Sequence, residues 1–390
     1  MTQTLLLAGY LAFKETWRNR GRFFLVSLVI ALIALLVLFI AALGEGLGNG
    51  NRQYIANLDA QLVIFLEKSD YNISASRLGS EKLNAIRRAA GVDAAGPIYT
   101  ANTNIELPGG KELKVSFLGV ENGAPGSPKI VAGRSFVSAT AEQAIMDRNV
   151  ALRTHINVGD DITIRSTQGA KDHFFHLQVV GLTEGQSYFF QPTIFVPPNT
   201  WDKDRPKSDA ELKNAGNVPE INIIAVRLTN PADILPMEQS LASQVGNIQV
   251  ADIPTTINNI PGYSAQQGTV QTQAVFTLLI GVLVIGGFFQ IQILQKVPQI
   301  GVLKAIGATN AAVGLAAVFQ IMLVTAMGVA IGGGMTVVFS LFFPPTIPLV
   351  FNGQASAFAV LVLLAIGPAG GLVSVFYAVR IEPLKALRLS

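Results

Sequence analysis

The chain has 390 residues, of which 50% are hydrophobic and only 14% charged, which is too apolar for an ordinary soluble protein of this length. Cysteine is absent, so neither a disulfide framework nor thiolate chemistry is available. The formal net charge of +3 is small, and the basic residues gather beside apolar runs, a pattern of membrane topology rather than of nucleic acid binding.

Residues 1–22 combine Leu7, Tyr10, Leu11, Phe13 and Trp17 with Lys14, Arg18, Arg20 and Arg22, as an amphipathic helix at a membrane surface does. Residues 23–43 then carry no Asp, Glu, Lys or Arg and are long enough to span a bilayer. A signal peptide has a shorter hydrophobic region and ends at a small-residue cleavage site, so this run reads as a retained first transmembrane helix. The glycine-rich stretch that follows, residues 44–54, has no Lys-Ser or Lys-Thr and no preceding nucleotide-binding strand. It reads as a flexible connection, with Glu45 a weak candidate for substrate contact at the membrane edge.

Residues 44–274 form a soluble-looking segment that alternates strands and helices. Strands are expected over 60–66, 96–107, 111–120, 221–228 and 247–251, and helices over 80–90 and 232–245. His155, His173 and His176 are the only histidines. In a strand, His173 and His176 point to opposite faces, so solvated or half-buried imidazoles are expected and no metal site. The charged stretch 201–217 reads as a solvated loop that an accessory protein could touch. Gln266, Gln267, Gln271 and Gln273 lead into the next apolar run and suggest that its helix continues outward as a polar stalk.

Three further charge-free runs follow, at 275–294, 311–343 and 355–379, giving four transmembrane helices in all. The run 311–343 is long for one span, and Gly332, Gly333 and Gly334 are candidate bend points. Gln290, Gln292 and Gln320 are the main polar side chains within the spans, where they either hydrogen-bond between helices or reach for the interface. The loop 344–354 has no Lys or Arg, whereas basic residues precede the first span, separate the second from the third (Lys296, Lys304) and follow the fourth (Arg380, Lys385, Arg388). By the positive-inside rule both termini and residues 295–310 are cytoplasmic, and residues 44–274 lie outside.

Residues 295–310, QKVPQIGVLKAIGATN, are a polar-edged segment between two charge-free runs. Ile300, Leu303 and Ile306 recur every third position, on one helical face, with Gln299 and Lys304 elsewhere. Pro298 suits a first helical turn, Gly307 a left-handed cap, and Thr309 the N-cap of the next helix. A short helix between two membrane spans is therefore expected.

The run Ile300-Gly301-Val302-Leu303-Lys304-Ala305-Ile306-Gly307-Ala308 resembles the permease signature of the MacB/FtsX group, the membrane subunits of type VII ABC transporters. The resemblance extends to residues 81–98, to Gly119-Val120, Gly133-Arg134-Ser135-Phe136, the strand from Ala144, Val158-Gly159-Asp160-Asp161 and Val179-Val180-Gly181. It includes the C-terminal stretch 380–390, where Arg380, Glu382, Pro383, Ala386, Leu387 and Arg388 match a family motif, so it covers nearly the whole chain. It implies four transmembrane helices with a large α+β extracytoplasmic domain between the first and second, containing an inserted β-rich subdomain near 127–218. It implies a coupling helix over 295–310 that docks on a separate cytoplasmic ATPase through Pro298, Gln299, Ile300, Gly301, Leu303, Lys304, Ile306 and Gly307. Gln299 departs from the family's usual Glu.

No ionisable residue lies inside a span, which argues against an ion-driven transporter, and no filter motif argues for a channel. No G-x-x-x-x-G-K-[ST] loop is present, so the chain is expected to have no catalytic residues and no cofactor of its own, with ATP and Mg used by the partner ATPase. The expected assembly is a homodimeric permease in the cell membrane that exports an apolar or amphipathic substrate, with an outer adaptor or membrane fusion protein as a further partner. The alternative is an FtsX-like complex that controls a cell-wall hydrolase or another extracytoplasmic partner.

Overall fold

The computed structural model describes residues 2–213, 219–343 and 349–381, with the side chains of residues 2–8 and 11 left aside. The chain divides into a helical unit, residues 1–46 and 267–390, and an α/β unit, residues 47–266.

In chain order, α1 (Thr2–Arg18) and α2 (Arg20–Ala56) come first, and then β1 (Leu62–Leu66), α3 (Ser80–Arg87), β2 (Val92–Leu107) and β3 (Lys111–Val120). Next come β4 (Ile130–Gly133), β5 (Gln143–Asp147), α4 (Arg148–Thr154), β6 (Asp161–Gln168), β7 (Lys171–Thr183) and β8 (Thr193–Val196). The unit closes with α5 (Pro198–Asp204), α6 (Asp209–Lys213), β9 (Ile223–Leu228), α7 (Ile234–Val245), β10 (Ile248–Asp252) and α8 (Ile253–Asn258). Four more helices complete the chain: α9 (Tyr263–Gln295), α10 (Val297–Ala305), α11 (Asn310–Ser340) and α12 (Gly353–Val379).

The α/β unit is organised on one sheet of order β10-β1-β9-β2-β3-β8-β5-β7-β4, with β6 pairing with both β2 and β7. Its continuous apolar strands follow from burial on both faces. Leu62 and Ile64 of β1 point into a core with Leu83 and Ile86 of α3 and Met237 and Leu241 of α7. Val63 and Phe65, alternating with them, point into a second core with Tyr54 and Ile55 from the end of α2. The strands β4 to β8, from the region expected as an insertion, continue this same sheet through the parallel pairing of β3 with β8.

Two sequence readings in this unit are corrected. Residues 44–54 are helical, because α2 runs without a break to Ala56. Gly50 accepts a hydrogen bond from the backbone N–H of Phe190 at 2.8 Å, and Tyr54 and Ile55 are buried, so packing outweighs the poor helix propensity of the glycines. Residues 201–213 are not a solvated loop but lie largely in α5 and α6. The Trp201 indole is buried and donates to the Phe117 carbonyl at 3.0 Å, and Asp204 is buried beside it. Residues 214–217 lie outside the described ones. Two of the histidines are solvated: His173 and His176 are exposed, His176 meets Thr163 at 3.1 Å and His173 stacks on Phe175.

In the helical unit, α2, α9, α11 and α12 are each long and apolar enough to cross a membrane. They share a core that includes Phe23, Ile30, Ile285, Phe289, Ile321, Val324 and Leu363. Without a hydrophobic force between spans, close backbone approach decides packing, and small residues permit it. A Cβ on Gly328 would stand 2.6 Å from Ile30 Cβ, and one on Gly332 would stand 2.5 Å from the Ala31 carbonyl oxygen. Ser27 donates to the Val324 carbonyl at 3.2 Å between the same two helices. Gly332 is thus a contact point with α2 rather than a bend, and α11 remains one α-helix. A Cβ on Gly286 would likewise stand 2.7 Å from the Gly370 carbonyl oxygen, which fixes α9 against α12.

Candidate functional site

The segment between α9 and α11 folds as its residues dictate. Pro298 occupies the first turn of α10, where a missing N–H costs nothing. Gly307 ends the helix with φ +103°, and Thr309 caps α11 by accepting from the Ala312 N–H at 3.2 Å.

The apolar residues of α10 divide differently from the period-three pattern. Ile300 is only 9% exposed and packs with Ile293, Ala378 and Ile381, and Gly301 beside it is buried. Leu303 is 37% exposed and Ile306 80%. The exposed stripe is therefore Gln299, Val302, Leu303 and Ile306, with the i, i+3, i+4, i+7 spacing of one helical face. Val302 belongs to it and Ile300 does not, which corrects the expected face. That spacing is legible once the count begins at Gln299 rather than at an apolar residue.

Lys304 also has a role that its charge alone did not show. Its ammonium donates to the carbonyl oxygens of Val379 at 2.7 Å and Ile381 at 2.9 Å. These are the last residues of α12 and its exit, where carbonyls lack helical partners and a cation is favoured. Lys304 ties α10 to the end of α12 and is not a free charge. Arg380 stacks over Phe376 at 3.9 Å, while Glu382, Pro383, Ala386, Leu387 and Arg388 lie outside the described residues.

Helix α1 joins this end of the bundle by packing on α11, with Ala12 and Thr16 buried. Glu15 pairs with Lys296, whose ammonium also donates to Gln320 Oε1 at 3.2 Å and lies over the Phe23 ring. Of the polar residues in the spans, Gln320 thus hydrogen-bonds to a neighbouring segment. Gln292 is fully buried with no partner among the described residues. Tyr10, Phe13 and Trp17 stand exposed on α1, as on a helix at a membrane surface.

Comparison with known proteins places these features. The MacB-like periplasmic core domain family matches residues 23–244, and the FtsX-like permease C-terminal family matches residues 273–383. The chain is 25% identical over 383 residues to a putative hemin transport system permease protein HrtB of Staphylococcus haemolyticus, covering 97% of this chain and 98% of that one. It is 25% identical over 307 residues to an uncharacterized ABC transporter permease of Mycobacterium tuberculosis, covering 78% of this chain and 77% of the other. Among solved structures, the periplasmic region of MacB from Actinobacillus actinomycetemcomitans aligns at 15% identity with a TM-score of 0.37, covering 50% of this chain and 90% of that one.

Proposed function

The chain belongs to the MacB/FtsX-type permeases of ABC transporters, and from that premise we propose that it is the export subunit of such a transporter, driven by a separate ATPase through α10. The observation that carries this reading is α10 itself. It presents an apolar stripe of Val302, Leu303 and Ile306 while its other side is fastened to α12 by Lys304 and to Ile293 by Ile300. A push on the stripe is transmitted to two spans rather than absorbed by a loose loop.

The same reading makes this end of the bundle cytoplasmic and the α/β unit extracytoplasmic, and the distribution of basic residues supports it. It makes the working form a homodimer with two ATPase subunits that use ATP and Mg, with an outer adaptor as a further partner. Helices α2 and α9 are continuous and extend past the apolar runs. The substrate is an apolar or amphipathic molecule. Relatives described as hemin transport permeases support that class, since haem is a planar amphiphile.

The test is co-expression with a candidate ABC ATPase subunit, reconstitution in liposomes, and ATP hydrolysis measured with and without hemin. Stimulation by hemin that needs both subunits is expected. Capture of a cell-wall hydrolase in place of an adaptor, with no substrate-stimulated hydrolysis, would overturn export in favour of an FtsX-like regulatory complex.

A further inference from the structure

A cavity of about 740 Å³ opens between α1, α10 and the first turns of α11. Lys14 and Arg18, one turn apart on α1, stand exposed at its rim, and Lys296 lies deeper. The single carboxylate lining it, Glu15, is already engaged by Lys296. The lining is therefore cationic in excess. The opposite wall is apolar and short, made by Ala312, Val313, Ala316 and Ala317 of α11.

A second observation points to an occupant. Gln320 lines the cavity and is 5% exposed, and its Nε2 has no hydrogen-bond partner although its Oε1 accepts from Lys296. A buried amide N–H left without an acceptor is destabilising, and an oxygen-rich ligand would remove that cost. The rim is also continuous with the aromatic stripe of α1. Lys14 lies over the Tyr10 ring at 5.5 Å, and Phe13 stacks on Trp17. Aromatic and basic residues interleaved on one exposed helix are the signature of a bilayer interface, so the cavity opens where phospholipid headgroups are the most concentrated anions.

We propose that this cavity binds one anionic phospholipid, its phosphate held by Lys14, Arg18 and Lys296, its glycerol ester oxygens facing Gln320, and an acyl chain along the alanines of α11. The site borders the proposed docking stripe: Gln299 and Leu303 line its edge, whereas Val302 and Ile306 do not. It needs a bilayer surface at α1, and a partner seated on α10 would meet it at Leu303. A lipid there would wedge between α1 and α10 and set their separation.

The experiment is native mass spectrometry of the full-length permease, purified without its ATPase and titrated with phosphatidylglycerol or phosphatidylcholine. One phosphatidylglycerol per chain should be retained at least tenfold more tightly than phosphatidylcholine. Lys14→Gln/Arg18→Gln, which alters only exposed side chains, should bring that retention down to the phosphatidylcholine level. Ala316→Phe, which narrows the apolar wall, should do the same without lowering the thermal midpoint. Glycerol 3-phosphate should fail to compete. Equal retention of the two lipids, or unchanged retention in both variants, overturns the site. Full competition by glycerol 3-phosphate shows a simple anion site and also overturns it. Loss of ATPase binding in Lys14→Gln/Arg18→Gln with lipid retention intact assigns the cavity to the partner protein instead.

Discussion

Lys304 on α10 donates from Nζ to the carbonyl oxygens of both Val379 and Ile381, so one flexible side chain joins the connecting helix to the exit of the last span. Hydrogen bonds from a charged donor are worth about 1.5–3 kcal/mol, enough to decide whether two elements move together. Replacing Lys304 with Met keeps the apolar stem and removes both bonds. The Lys304→Met variant should still bind its ATPase, because the exposed stripe is untouched, yet substrate-stimulated hydrolysis should fall severalfold. Unchanged stimulation would show that force reaches α12 by another route.

Ile300 within α10 and Ile306 at its C-cap offer a paired test of docking. Ile306 is exposed, so Ile306→Asp should leave the permease folded and monodisperse while weakening ATPase association. The loss should reach about 1.5–3 kcal/mol from the missing apolar burial, or more than tenfold in affinity. Ile300 packs among Ile293, Ala378 and Ile381, so Ile300→Asp strands a charge in a packed cluster and should lower the thermal midpoint itself. Co-purification beside a melting curve distinguishes the two, and equal behaviour would refute the inward and outward assignment.

Much of the fold was legible from local pattern. The runs Leu62–Leu66 and Ile223–Leu228 are strands because β-branched residues on both faces meet two cores. What could not be read depended on distant packing. Gly44, Gly46, Gly48 and Gly50 favour a loop by propensity, each costing up to ~1 kcal/mol in a helix, but Tyr54 and Ile55 lock the end of α2 into the α/β unit. Trp201 and Asp204, three residues apart, turn inward from a stretch whose other charges face solvent. At the site, the ends of α10 were set by Pro298, Gly307 and Thr309, which act locally. Which face turned inward was set by Ala378 and Ile381, some 75 or more residues away in the chain, and no local period records that.

Span packing gives a stability prediction with an internal control. A side chain at Gly332 would meet the Ala31 carbonyl oxygen and Ala34 Cβ, whereas a Cβ at Gly334 meets nothing within 4 Å. Gly332→Val should therefore cost about 1–3 kcal/mol by overpacking, and Gly334→Ala should be neutral or slightly stabilising. Thermal unfolding in detergent micelles reads both. Similar midpoints for the two variants would mean that α2 and α11 do not approach each other at Gly332.

The last prediction concerns pH and the α/β unit. Asp204 is 1% exposed, neither carboxylate oxygen has a hydrogen-bond partner among the described residues, and burial raises its pKa from the usual 3.8 to about 6. Lys203 and Lys207 oppose that shift, and Glu142 adds to it. The folded chain therefore holds this proton more tightly than the unfolded chain, so between the two values folding takes up a proton. Stability from this group is intact below about pH 4, declines as the pH rises to about 6, and is lost above. Asp204→Asn removes the buried charge and should stabilise the unit by about 1–3 kcal/mol at pH 7, with the gain shrinking toward zero at pH 4. Trp201, on the same helix, supplies the readout if Trp17 is first changed to Phe, because these are the chain's two tryptophans. Fluorescence-monitored unfolding of both proteins at each pH isolates the difference. A gain that grows rather than shrinks on acidification would mean that the folded state favours the Asp204 carboxylate.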